Sequence, residues 1–143
     1  MIMSRKKLNT VCLHTDGGSR GNPGPSSIGI LITDKSGNEL HSYAKCIGYG
    51  TNNRAEYKAI IKGLKLCKKF TSKQVECFSD SNLVINQMNG IYRVKNPKMK
   101  KYYLKVKALE AEFDLVTYTH VRRTDSFIVK ADMLVNFALD NRL

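Results

Sequence analysis

No stretch of the 143-residue chain is apolar for the length a membrane span requires. Residues 1–10 are basic and polar, with no apolar run behind them to serve as a signal peptide. A cytoplasmic protein without a membrane partner is therefore expected. The four cysteines, Cys12, Cys46, Cys67 and Cys77, form no CxxC pair, and Cys12, Cys67 and Cys77 fall inside apolar segments. They read as reduced thiols acting as small hydrophobes. Clustered Cys and His, which a zinc site needs, are missing. Repeats, low-complexity tracts and linkers are missing too, so the chain reads as one domain over residues 10–143, preceded by a loose tail over residues 1–9. A monomer is the default expectation.

Negative charge is also scarce. Asp and Glu number 12 against 24 Lys and Arg, for a net charge of +12. That balance favours a polyanionic partner. The imbalance is local as well as global. Between Tyr57 and Val75 there are six lysines and no acid, and between Ser81 and Leu109 seven basic residues and no acid.

Hydrophobic periodicity supplies the layout. Val11 to Asp16 alternates like a strand that ends at an acid. Gly17 to Ser27, with four glycines and two prolines, reads as a turn region. Strands follow at Ile28–Thr33 and Glu39–Ile47, joined by the hairpin loop Asp34-Lys35-Ser36-Gly37-Asn38. From Asn53 to Phe70 the period becomes helical, with Ala55, Ala59, Ile60, Gly63, Leu64 and Cys67 on one face. A strand at Val75–Ser79, a short helix at Asp80–Met88 and a helix capped by Asn96-Pro97 come next. A strand at Leu115–Thr119 and a helix over Val129–Leu139 complete the order βββαβααβα. This predicts an α/β protein: a mixed five-stranded sheet with an antiparallel start and parallel later strands, and helices on its faces.

Four acids stand out in that layout. Asp16 and Asp80 end strands; Glu56 and Asp132 lie near helix starts. Sites in open α/β sheets form beyond strand ends, beside helix N-termini. Four converging carboxylates repel one another unless a cation is present. All-oxygen ligation suits Mg²⁺ or Mn²⁺, and two such ions about 4 Å apart can activate water and hold a leaving oxygen of a phosphodiester. Taken singly, Asp80 also fits a plain N-cap, and Asp132 an acid favoured by the helix dipole.

The local sequences around these acids resemble the type 1 ribonuclease H family. Thr15-Asp16-Gly17-Gly18-Ser19-Arg20-Gly21-Asn22-Pro23-Gly24-Pro25 is similar to its opening motif, and Thr51-Asn52-Asn53-Arg54-Ala55-Glu56 to its helix-opening motif. Ser79-Asp80-Ser81 matches the third acidic motif; Lys130-Ala131-Asp132 with Leu134 and Asn136 matches the last. The four occur in family order and span most of the chain. The resemblance implies a ribonuclease H-like fold with strand order 3-2-1-4-5 and helices on both faces. It further implies an endonuclease that cuts the RNA strand of RNA–DNA hybrids with two Mg²⁺ ions per site, Mn²⁺ substituting, and leaves 5′-phosphate and 3′-hydroxyl ends. Asp16 would bridge both ions, Glu56 and Asp80 would complete one, and Asp132 would bind the other beside the attacking water. Gly18, Ser19, Gly21, Asn22, Asn52 and Asn82 become candidates for the RNA strand, and Thr51 and Asn53 for the DNA strand.

Departures from the family pattern are informative. The loop Val121–Val129 lacks the histidine many members carry before the last acid, leaving Arg122 or Arg123 as stand-ins. Ile128 replaces the usual Asn four residues before that acid. The basic protrusion of some bacterial members is reduced to the connection Gly90–Pro97, whose Arg93 and Lys95, with Lys98 beyond it, can still grip a phosphate backbone. Three other readings stay open: a non-catalytic binding module, an integrase- or transposase-like core, and a short form that also cuts double-stranded RNA.

Overall fold

A computed structural model of the chain describes residues 8–143. The tail expected over residues 1–9 falls mostly outside this range. Leu8 and Asn9, within it, are tied down: the Leu8 carbonyl accepts a hydrogen bond from Thr71 Oγ1 at 2.6 Å, and the Asn9 carbonyl accepts one from the Gln74 amide at 3.1 Å.

Nine elements follow in the expected order. They are β1 (Thr10–Ser19), β2 (Gly24–Thr33), β3 (Glu39–Gly50), α1 (Asn52–Cys67), β4 (Gln74–Ser79), α2 (Asn82–Met88), α3 (Pro97–Glu110), β5 (Leu115–His120) and α4 (Ser126–Asn141). The five strands form one sheet in the order β3-β2-β1-β4-β5. β1, β2 and β3 pair antiparallel, whereas β4 lies parallel to β1 and β5 parallel to β4. This is the mixed sheet expected from the sequence.

Helices cover both faces. Successive residues of a strand point to opposite sides, and β1 shows which helix lies where. A side chain at Gly17 would run into the backbone of α1 at Ala55, whereas one at Gly18 would meet Val135 of α4. Leu13, on the same side as Gly17, packs against Gly63 of α1. The α1 residues predicted to face inward, Ala55, Ala59, Ile60, Gly63, Leu64 and Cys67, are all buried, and α3 lies beside α1. The core includes the fully buried side chains of Leu13, Ile30, Tyr57, Ile60, Phe70 and Val75.

The glycine-rich segment departs from expectation. It is mostly strand rather than turn, because β1 runs on through Ser19 and β2 begins at Gly24. Gly18 pairs with Ser27 and Ser19 with Ser26. Backbone ladders need no side chains, so the glycines do not interrupt them. The turn proper is short, with Gly21 at a positive φ of 86° and a cis peptide between Asn22 and Pro23.

Candidate active site

Each acid is positioned by a local device. Asp16 lies in β1 with 8% of its surface exposed. Next to it, Gly17 lets the backbone of α1 approach where no side chain would fit. That approach brings Glu56 over the strand, and the Gly17 amide donates to Glu56 Oε1 at 2.9 Å. On the opposite face, Gly29 of β2 pairs with Asp16. A side chain at Gly29 would strike the Ala131 carbonyl, so α4 also sits close, with Asp132 one residue further on. Asp80 follows β4. It is not part of the helix: α2 starts at Asn82 and Ser81 is its cap, accepting from the Val84 amide at 3.3 Å.

Glu56 and Asp132 are deeper in their helices than the sequence implied. Thr51 caps α1, accepting from the Arg54 amide at 3.2 Å, so Glu56 falls in the second turn. Asp125 caps α4 through the amides of Phe127 and Ile128, both at 3.1 Å. The helix thus starts at Ser126, not Val129; the preceding loop shortens to residues 121–125, and Asp132 also lies in the second turn. Ile128, at the position where an Asn was expected, is fully buried. Of the α4 residues expected inside, Ala131, Val135 and Ala138 are buried, while Leu134 is half-exposed.

The devices converge. Carboxylate oxygens of Asp16, Glu56 and Asp80 lie within 4.8 Å of one another, the one such acid, Cys or His cluster among the described residues. Asp132 joins from α4, close enough for its charge to act on Asp16. All four acids line one open cleft of about 460 Å³. Burial, then the charges of Asp80 and Asp132, push the Asp16 carboxyl up to about 8. Burial, then Asp16 and Asp80, raise Glu56 well above the usual carboxylate range. Without a cation, Asp16 and Glu56 are thus driven toward their protonated forms. A divalent cation with an all-oxygen shell is the group this donor set fits, since it replaces those protons and screens the repulsion.

Other predicted residues separate into three groups. Gly18, Ser19 and Asn52 line the cleft. They are cross-braced: Asn52 Oδ1 accepts from the Ser19 amide at 2.8 Å and from Ser19 Oγ at 3.0 Å, and the Asn52 amide donates to Asn22 Oδ1 at 3.1 Å. Asn53 and Thr51 are exposed at the α1 start, Gly21 lies in the adjoining turn, and Asn82 begins α2, where it accepts from Asn86 Nδ2 at 3.1 Å. Arg93 and Lys95 are exposed in the α2–α3 connection and do not line the cleft, nor does the exposed Arg122. Arg123 does line it, with Nε 4.0 Å from Asp80 Oδ2.

Two cleft residues were missed as candidates. Asn136 sits one turn after Asp132 and donates to its backbone carbonyl at 3.1 Å. Arg20 spans the cleft wall to an ion pair with Asp140 at 2.6 Å. The four-residue spacing of Asp132 and Asn136 was a usable signal; the reach of Arg20 to α4 was not written in any local pattern.

Comparison with known proteins follows the same lines. Residues 14–138 match the family described as reverse transcriptase-like. A protein of Mycobacterium tuberculosis described as bifunctional is 38% identical over 131 residues, covering 91% of this chain and 35% of its own. Ribonuclease HI of Halobacterium salinarum is 36% identical over 126 residues, covering 88% of this chain and 62% of its own. The chain thus spans about a third to three-fifths of the length of these relatives. Among solved structures, LC11-RNase H1 in complex with an RNA/DNA hybrid superposes with a TM-score of 0.88 at 39% identity, covering 92% of this chain and 98% of that one.

Proposed function

Because the chain belongs to the type 1 ribonuclease H family, we propose that it is an endonuclease hydrolysing the RNA strand of RNA–DNA hybrids to 5′-phosphate and 3′-hydroxyl ends. The observation that carries this reading is the cluster of Asp16, Glu56 and Asp80 oxygens within 4.8 Å, open to a cleft that Asp132 also lines. A phosphate-binding surface gains nothing from concentrated negative charge, so a purely binding module would have no use for it.

Two Mg²⁺ ions, with Mn²⁺ as substitute, are the proposed cofactor; when bound they supply Lewis-acid activation of water and stabilisation of the leaving oxygen. Asp16, whose carboxyl feels the charges of both Asp80 and Asp132, would be the acid shared between the two ions. Glu56 and Asp80, clustered with it within 4.8 Å, would complete the shell of one ion, and Asp132 would hold the other. The amide of Gly17 keeps Glu56 aimed at the cluster. Arg123 faces Asp80 from the loop that would otherwise carry a histidine, and Arg122 extends that cationic edge.

Substrate recognition is assigned to the rim. Gly18, Ser19, Gly21, Asn22, Asn52 and Asn82 would contact the RNA strand, where the 2′-hydroxyl distinguishes RNA from DNA. Thr51 and Asn53 would meet the DNA strand. Arg93, Lys95 and Lys98 would hold phosphates beyond the cleft. Their replacement by alanine should flatten the dependence of hybrid affinity on salt, and an unchanged slope would remove them from the interface.

The direct test uses labelled RNA–DNA hybrid, RNA duplex and DNA duplex with Mg²⁺, Mn²⁺ or chelator. Cleavage confined to RNA strands, dependent on metal and lost in Asp80→Asn while hybrid binding survives, is the expected result. Cleavage that persists in chelator would overturn the reading. The RNA-duplex arm decides whether specificity extends to double-stranded RNA.

A further inference from the structure

α1 is a shared wall. Glu56 reaches the acidic cleft, but Lys58, two residues on and about 200° round the helix, faces a different cavity. This second cavity, of about 510 Å³, lies between α1, α3 and the edge strand β3. Its cationic lining comes from three separate segments: Lys45 of β3; Lys58, Lys62 and Lys65 of α1; and Lys105 of α3. No acid lines it. The sequence explains why, since Leu40 to Ala55, Tyr57 to Val75 and Ser81 to Leu109 hold no Asp or Glu. None of the five lysines makes an ion pair among the described residues.

The cavity is not only charged. Ile28, Ile47, Ile61 and Leu109 give it apolar walls, and the rings of Tyr43 and Tyr102 also line it. Lys62 stands 5.0 Å from the Tyr43 ring centre, and Lys58 stands 6.0 Å from that of Tyr102. Its size falls within the usual range of small-ligand sites. Uncompensated lysines converging on aromatic and apolar walls match a ligand with phosphates at one end and a flat ring at the other.

We propose that this cavity is a second anion-binding site that takes a nucleotide, its phosphates held by Lys58, Lys62 and Lys65 and its base set against Tyr43 and Tyr102. The same chemistry is offered by a free nucleoside triphosphate and by one unit of a nucleic-acid strand. The site is separate from the acidic cleft and does not depend on the activity assigned there.

The test measures binding of a fluorescent adenosine triphosphate analogue to the whole protein in chelator, so that no metal ion can hold phosphate in the acidic cleft. Saturable binding displaced by inorganic tripolyphosphate is expected. Lys62→Glu/Lys65→Glu should weaken it about tenfold or more. A double with the same charge change away from the cavity, Lys69→Glu/Lys101→Glu, should weaken it less than about twofold. Tyr43→Leu should reduce affinity for the nucleotide but not for tripolyphosphate; thermal melts verify that each variant is folded. Competition with single-stranded DNA distinguishes the sources: displacement assigns the site to a strand, and its failure to a free nucleotide. Absence of saturation, or equal losses in the two doubles, would overturn the proposal.

Discussion

The acidic cleft and the lysine-lined cavity are similar in size, about 460 and 510 Å³, and lie on opposite sides of α1, one built round four acids and the other lined by lysines alone among charged residues. They differ in how that charge meets water. Asp16 and Glu56 are buried and their carboxyls are driven to hold protons. Lys45, Lys65 and Lys105 are exposed, and Lys58 and Lys62 are half-exposed. A buried like-charge cluster is costly until a counter-ion arrives, whereas a solvated one is nearly free and simply waits for a ligand. The first should couple ligand binding to stability and pH; the second should couple it mainly to salt.

The largest contrast is expected in catalysis. Asp80→Asn should lower hybrid cleavage by about a thousandfold, measured with saturating Mg²⁺. Lys65→Ala should leave the same rate within about twofold if the two cavities are independent.

Packing comes next. Gly17→Ala places a methyl group against the backbone of Ala55, which cannot swing aside as a side chain can. A loss of roughly 2–3 kcal/mol is expected by denaturant unfolding. Activity should fall as well, because the same approach of α1 aims Glu56. A Gly17→Ala protein with unaltered stability would show that the close contact is not required.

The pH dependence should separate the cavities cleanly. Asp16 has its carboxyl raised to about 8 in the folded state, against an unfolded value near 4. Between those values the folded chain binds more protons than the unfolded one, so the metal-free protein loses stability as pH rises through this window. The loss is on the order of 5 kcal/mol, and Mg²⁺ should restore much of it near pH 8. Asp16→Asn should reduce the dependence, leaving the part that buried Glu56 contributes, and, without metal at pH 8, melt higher than the parent. A flat stability profile in the parent would contradict the buried-cluster description.

The smallest effects belong to exposed cations. Arg123 is 91% exposed and 4.0 Å from Asp80, so Arg123→Ala should change stability by no more than about 0.5 kcal/mol. Its effect on turnover should be larger in proportion, a few-fold by steady-state kinetics. A stability loss above about 1 kcal/mol would mean the pair matters structurally.

Much of this was legible in the sequence, but not evenly. Periodicity placed every element, and the acids were picked out by expecting sites at strand ends and helix starts, although β1 continues three residues past Asp16. The glycine segment misled, since Gly17, Gly18 and Gly24 read as breakers, while Gly17 and Gly18 continue the β1–β2 ladder and Gly24 pairs with Gly50 of β3. The second turns of α1 and α4 were hidden because the caps Thr51 and Asp125 begin the helices earlier than the apolar pattern does. The lysine cavity was present only as two acid-free stretches; that they face each other depends on α1 packing beside α3, which no local pattern encodes.

Asp125 has one more consequence, for how this chain tolerates change in length. Because it fixes where α4 begins, the bearing of Asp132 is counted in residues from that cap. An extra residue among positions 121–124 only lengthens a loop. The same residue inserted between Ser126 and Ala131 would turn the Asp132 carboxylate about 100° away from the cleft. The cap therefore acts as an index mark that uncouples the loop from the register of the acid. Changes of length within residues 121–124 would thus move Arg123 relative to Asp80 but leave Asp132 its aim.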